Sequence, residues 1–205
     1  MLITIEGIDG SGKSTLVSAL RKSLADLDPV FTREPGSTWV GDAVRRAIAE
    51  QVDPVTEALL FVADHAAHLD VVIRPALDAG KTVISDRYTD SRYAYQAVML
   101  GGRIPEPAAW LRALHDGWTV VPDRTFLLVV PVEEALHRLP GDKRREHFEE
   151  GPFLEKVQAN YLALAEAGPA RFILVDALLP ADEIHRFVEK EIRELVRSRR
   201  SRRRR

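Results

Sequence analysis

The sequence predicts an α/β protein: a three-layer α/β/α arrangement with a five-stranded parallel sheet covered by helices on both faces. Three observations carry this. Strand-like and helix-like segments alternate along the whole chain of 205 residues. The strand-like runs are continuously apolar, as in Phe126-Leu127-Leu128-Val129-Val130, which marks strands buried on both faces. The first such run passes through a glycine-rich turn directly into a helical pattern. No internal repeat is visible, and the length suits one domain with a sizeable core.

The elements follow in order. Met1-Leu2-Ile3-Thr4-Ile5 is the first strand. Gly7-Ile8-Asp9-Gly10-Ser11-Gly12-Lys13-Ser14 comes next and fits G-x-x-x-x-G-K-[ST] between a strand and a helix, the setting that makes this pattern a phosphate-binding loop. Its glycines let backbone N–H groups turn inward toward phosphate oxygens, and the following helix adds its positive end. Lys13 would reach the terminal phosphates and the Ser14 hydroxyl would sit on a magnesium ion. Leu16, Leu20 and Leu24 give that helix one apolar side, and Asp28-Pro29 ends it. Val30–Arg33 is a short second strand, Glu34–Thr38 a turn, and 41–49 a helix. Asp53-Pro54 opens a longer helix running to Asp78, with Gly80 as its cap. Thr82–Ser85 is the third strand, ending at Asp86-Arg87-Tyr88. Helices over 89–99 and 106–116, a strand over 125–130 and a helix from Val132 come next. Pro140-Gly141-Asp142 breaks that helix ahead of Lys143-Arg144-Arg145. A helix over 152–167, a fifth strand at 171–175 and a last helix at 182–196 complete the fold.

Composition narrows the class. The chain has no Cys, which excludes a disulfide framework and Cys-based zinc sites and fits a reducing cytoplasm. Met1 leads straight into a strand without a basic region, so no secretory leader is read, and the apolar runs are too short to cross a bilayer. Net charge is −2, yet residues 197–205 hold seven Arg, so the other 196 residues carry −9. This run reads either as an arm for nucleic acid or as a solvated, disordered tail. The tail reading leads, because nothing else in the chain looks like a nucleic-acid module. Residues 1–196 are expected as one domain and 139–151 as a mobile lid.

Ligands of parallel sheets bind at the carboxyl ends of the strands. Gly7–Ser14, Arg33–Gly36 and Asp86–Tyr88 all fall at such ends. Asp86, after four strand residues, has the position of a carboxylate that holds Mg²⁺ opposite Ser14, and Arg87 beside it would serve a phosphate. Lys143, Arg144 and Arg145 sit on a polar segment that can bring cations onto a migrating phosphoryl group as it closes. A phosphate acceptor already carries a nucleophilic oxygen, so positioning and charge neutralisation suffice.

The chain resembles the thymidylate kinases. The resemblance rests on Gly7–Thr15, Thr32-Arg33-Glu34-Pro35-Gly36, Leu60-Phe61-x-Ala63-Asp64, Asp86-Arg87-Tyr88 with Ser91-x-x-Ala94-Tyr95-Gln96, Pro122-Asp123 and Val175-Asp176-Ala177, in order from residue 1 to about 195. It implies a kinase of the P-loop nucleoside monophosphate type that moves the ATP γ-phosphoryl to dTMP with Mg²⁺, as a homodimer. ATP would lie on Gly7, Asp9, Gly10, Ser11, Gly12, Lys13, Ser14 and Thr15, with Asp176 and Ala177 along adenine. Mg²⁺ would take Ser14 and Asp86. For dTMP, Asp9 would hold the 3′-hydroxyl, Arg33 and Arg87 the phosphate, Phe61 the base face, and Tyr95 would crowd the ribose 2′ position. Glu34, Gln96 and Glu149 complete that side, and Lys13, Arg87, Arg144 and Arg145 are the catalytic cations. Since Gly10 occupies the loop slot where some members carry Arg, the lid would supply the charge. Two departures stand out. His65 replaces an Arg that contacts thymine in many members, with Arg92 able to compensate from the other side; Val129 replaces an Asp at the end of strand four. Alternatives are a kinase of another (deoxy)nucleoside monophosphate, a nucleotide switch and a nucleic-acid-binding protein. The switch lacks its Asn-Lys-x-Asp motif, since Asn160 is the one Asn in the chain.

Overall fold

The structure, a computed structural model, describes residues 1–139 and 151–203. Five strands form one sheet: β1 (Leu2–Glu6), β2 (Val30–Arg33), β3 (Val83–Asp86), β4 (Arg124–Val129) and β5 (Phe172–Asp176). All neighbours are parallel and the order is β2-β3-β1-β4-β5. The chain thus builds outward from β1 on one side and then on the other. The crevice beyond the carboxyl end of β1 is where such a reversal leaves room for a ligand. Register brings the relevant ends together: Asp86 lies beside Ile5 on one flank and Arg33 on the other.

The helices are α1 (Lys13–Ser23), α2 (Trp39–Glu50), α3 (Pro54–His68), α4 (Arg74–Asp78), α5 (Thr89–Met99), α6 (Pro107–His115), α7 (Val132–Arg138), α8 (Gly151–Ala167) and α9 (Ala181–Arg203). Their starts follow from local chemistry. Thr38 caps α2 by accepting from the Gly41 amide at 3.1 Å. Asp53 caps α3 by accepting from Val55 at 2.9 Å, with Pro54 in the first helical position. Alternation along β1 sends Ile3 and Ile5 into a large core with Leu16, Leu20, Phe126, Val157 and Val188, and Leu2 into a smaller core with Leu69, Ile73, Val83 and Tyr88. Thr4 and Glu6, on the same face of β1 as Leu2, are fully buried polar residues.

Two expected boundaries are corrected. The long helix after Asp53 does not run unbroken to Asp78: it widens into a π-helical turn at Leu69–Ile73 before α4. Leu69 and Ile73 stay buried across that turn, so an extra residue enters without costing core contacts. The last helix does not stop at 196; it continues through the Arg-rich segment to Arg203. Val188, Ile192 and Val196 anchor it in the core, and once that nucleus exists, adding Arg, a good helix former, costs little. Arg199 lies 3.6 Å from Asp123. Among the described residues no helix is long and apolar enough to cross a membrane.

Candidate active site

The phosphate-binding loop joins β1 to α1. Gly10 has φ +80°, and a Cβ there would come within 2.1 Å of the Ala135 carbonyl oxygen on α7. The position is therefore closed to any side chain, cationic or not. Gly12 caps α1 in a left-handed conformation at φ +93°. Lys13 is buried and donates to the Ile8 carbonyl at 2.7 Å. Burial, then the Arg87 charge, pulls its ammonium down to about 8 against the attraction of Asp9 and Asp86. An incoming phosphate supplies the anion that restores a full charge.

Ser14 donates to Asp86 Oδ2 at 3.4 Å across the β1–β3 crevice. A hydroxyl and a carboxylate at that separation are hard oxygen ligands of the kind Mg²⁺ takes alongside waters and phosphates. Among the described residues no cluster of three His, Cys, Asp or Glu could hold a metal by protein groups alone.

Arg87 follows β3 with φ +66°, a left-handed backbone unusual for a non-glycine residue. Its guanidinium bonds Asp9 and reaches the Gly7 carbonyl and Ser91 Oγ, each at 3.3 Å. Tyr95 donates to Asp9 Oδ2 at 2.8 Å and accepts from the Asp9 amide at 3.0 Å. Burial pushes the Asp9 carboxyl up, but Arg87, Lys13 and Tyr95 outweigh it and hold it at about 2.

Asp9, Gly10, Gly12, Lys13, Ser14, Thr15, Arg33, Glu34, Asp86 and Arg87 line one cavity of about 390 Å³. A second cavity, about 450 Å³ and more apolar, lies on the other side of the loop against Ser11, Leu16, Leu128, Ala177 and Ile184. Gly12, Thr15 and Arg138 line both. Two cavities thus flank one glycine-rich loop.

At the inner wall of the first cavity, Glu34 directly follows β2 and is buried. It bonds Arg92 and accepts from His65 Nδ1 and His68 Nδ1, each at 2.8 Å. Burial pushes its carboxyl up, but Arg92 and His65 overcome this and hold it well below the carboxylate range. Beyond Arg92, Nε donates to His115 Nε2 at 3.2 Å, and His115 Nδ1 donates to the Leu111 carbonyl. Burial and Arg92 push His115 down to about 4, so it stays neutral and can accept.

The sequence model of the family described as thymidylate kinase matches residues 5–188. The chain belongs to the thymidylate kinase family. Relatives named probable thymidylate kinase include one from Methanoculleus marisnigri, 67% identical over 202 residues and 98% of each chain. Another, from Methanospirillum hungatei, is 59% identical over 94% of each chain. A third, from Methanocorpusculum labreanum, is 56% identical over 96% of this chain and 100% of its own. The protein is accordingly an enzyme of the nucleoside monophosphate kinase type, with the parallel α/β fold of that class.

Of the residues singled out in the sequence, Asp9, Lys13, Ser14, Arg33, Asp86 and Arg87 line one cavity, and Tyr95 bonds Asp9. Ala177 lines the second cavity, while the exposed Asp176 caps its own turn by accepting from Leu178 at 2.9 Å. Phe61 lies half-buried on α3, and Gln96 is buried on α5. Two residues expected beside thymine have partners within the protein. Burial lowers the pKa of His65, whose Nδ1 donates to Glu34 and whose Nε2 accepts from Thr119 Oγ at 2.7 Å. Arg92 is equally committed, fully buried between Glu34 and His115. Arg144, Arg145 and Glu149 lie outside the described residues. Sequence reasoning missed Arg138, which donates to the Ala177 carbonyl at 2.9 Å and lines both cavities. Its signal was available: a cation at the end of the helix that follows strand four.

Proposed function

We propose that the chain transfers the γ-phosphoryl of ATP to dTMP, giving dTDP and ADP. The observation that carries this is the double use of one loop. Its glycine backbone and Lys13 face the donor phosphates, while Asp9 in the same loop binds Arg87 and Tyr95 on the acceptor side. Arg33 and Arg87 draw the acceptor phosphate into the first cavity, and its ionised oxygen attacks without a general base. Asp9, held ionised, takes the sugar 3′-hydroxyl, and the Tyr95 ring closes the space beside the 2′ carbon. Adenine lies in the apolar second cavity, with Arg138 against it. Mg²⁺ would be held by Ser14 and Asp86 and would supply neutralisation of charge on the terminal phosphates. Arg144 and Arg145 of the 139–151 segment bring the remaining cations, since Gly10 admits none. A homodimer is supported by the family resemblance and by the exposed Trp39 (80%) and Leu59 (45%) on the packed pair α2 and α3. Cysteine-free composition supports a cytoplasmic setting.

ADP release measured across dTMP, dUMP, dCMP, dGMP, dAMP and thymidine tests the reading. A clear preference for dTMP is expected. Equal turnover of the monophosphates would replace it with a broader (deoxy)nucleoside monophosphate kinase. Arg144→Ala and Arg145→Ala are expected to lower kcat far more than they weaken binding of either substrate.

A further inference from the structure

Glu6 is the last residue of β1, one position ahead of the loop, and it is fully buried. It lines neither of the two cavities that flank the loop. Its carboxylate nevertheless takes three donors from three elements. Oε1 accepts from the Tyr88 amide at 2.7 Å; Oε2 accepts from Ser91 Oγ at 2.6 Å and from Tyr161 Oη at 2.8 Å. Tyr88 is the residue immediately after Arg87, and Ser91 is the residue whose Oγ accepts from Arg87 Nη1 at 3.3 Å.

Arg87 needs such support. Its left-handed backbone, at φ +66°, is strained for a residue other than glycine and persists only where neighbours fix it. The Arg87 amide is held by the Ile5 carbonyl at 3.0 Å, its carbonyl by Ser85 Oγ at 2.7 Å, and the next amide by Glu6. The side chain is steered by the same group through Ser91. With Glu6 ionised, donors run in one direction: Arg87 donates to Ser91, and Ser91 donates to Glu6.

We propose that Glu6 is a positioning residue for substrate phosphate binding: it fixes both the backbone turn and the guanidinium direction of Arg87. The inference rests on the reading that Arg87 binds the dTMP phosphate. A purely structural acceptor at this point would not need to be a carboxylate. Burial, and then the charge of Asp90, lift Glu6 to about 7, so the ionised form is held at a cost that Arg87, Ser91 and Tyr161 only partly offset. An amide in its place would turn an NH2 either toward the Tyr88 N–H, where it clashes, or toward Ser91, where it competes for the lone pairs that Arg87 uses.

The test is calorimetric binding of dTMP and of thymidine, without ATP, to the full chain and to Glu6→Gln, Arg87→Ala and the double variant. Wild type binding dTMP more tightly than thymidine, with Arg87→Ala narrowing the difference, confirms the phosphate role on which the inference stands; no loss in Arg87→Ala removes that role and the inference together. With the role intact, Glu6→Gln is expected to weaken dTMP on the order of tenfold, about 1.4 kcal/mol, and to leave thymidine unchanged. In the Arg87→Ala background it should have no further effect. Equal weakening of thymidine and dTMP, or the full factor persisting without Arg87, overturns the proposal while leaving the kinase reading untouched. Should Glu6→Gln not fold, Tyr161→Phe, which removes one donor to the same oxygen, is expected to give the same pattern at roughly threefold, and its absence overturns the proposal equally.

Discussion

Two buried glutamates stand at the carboxyl ends of β1 and β2, strands of one sheet with β3 between them, and their surroundings push them in opposite directions. Glu34, just after β2, is wrapped by Arg92, His65 and His68 and is held well below the carboxylate range once their attraction outweighs burial. Glu6, ending β1, meets a backbone amide, a serine and a tyrosine, and burial together with Asp90 lifts it to about 7. Burial is the first cause in both; the charge of the partners decides the outcome. Neutral donors orient a carboxylate as well as cations do, but they stabilise its charge less. One site is thus a locked ion cluster and the other an aligned acceptor close to its proton balance.

The largest expected break in this contrast is Glu34→Ala. It strands a buried Arg92 without its carboxylate, and denaturant unfolding should show a loss of about 3–5 kcal/mol. The second is pH dependence. Glu6 has a folded pKa above its ordinary 4.5, so the folded protein holds the proton more tightly; its contribution is complete below about 4.5 and is lost as pH rises through about 7. The span corresponds to about 3 kcal/mol, and Glu6→Gln should flatten stability between pH 5 and 8 by that order. Glu34 has the opposite sign: its contribution is present above about 4.5 and disappears as pH falls through its lowered pKa, so Glu34 variants should flatten the acid limb instead. Opposite limbs failing to separate in these two variants would break the comparison. Next, His65→Ala should cost about 1–3 kcal/mol of stability, because Glu34 and Thr119 each lose a partner. A selective rise in dTMP KM without that loss would instead give His65 a base-contacting role. The smallest effect is expected from Thr119→Val, about 1 kcal/mol, by unfolding midpoint.

Much of the fold was legible because its signals are local. Unbroken apolar runs, Asp53-Pro54 and the glycine loop each declare an element within a few residues. That the strand-end motifs meet was legible for the same reason, since in a parallel sheet such ends lie side by side. The surroundings of His65 were not. Whether His65 points at a ligand depends on Glu34, 31 positions away, and Thr119, 54 away, and no spacing on α3 records that. Arg138 and Ala177 are 39 apart and meet only because β4 and β5 are neighbours. The C-terminal boundary was missed by weighing charge repulsion in an isolated segment, when the segment instead inherits a helix already anchored by Val188 and Ile192. The π-turn escaped because Leu69 and Ile73 are four apart and read as ordinary helical spacing.

The contact between Gly10 and Ala135 has a consequence for how such a site can change over generations. Position 10 faces a backbone oxygen, which no substitution at 135 can trim away. A single codon change from Gly to Arg therefore meets a wall of main chain, and α7 would have to move before the new side chain could be useful. Moving a cation into the loop is thus a two-step route between Gly10 with α7 in place and Arg at position 10 with α7 shifted. The two arrangements are separated by a valley that one atom at the end of a peptide bond creates.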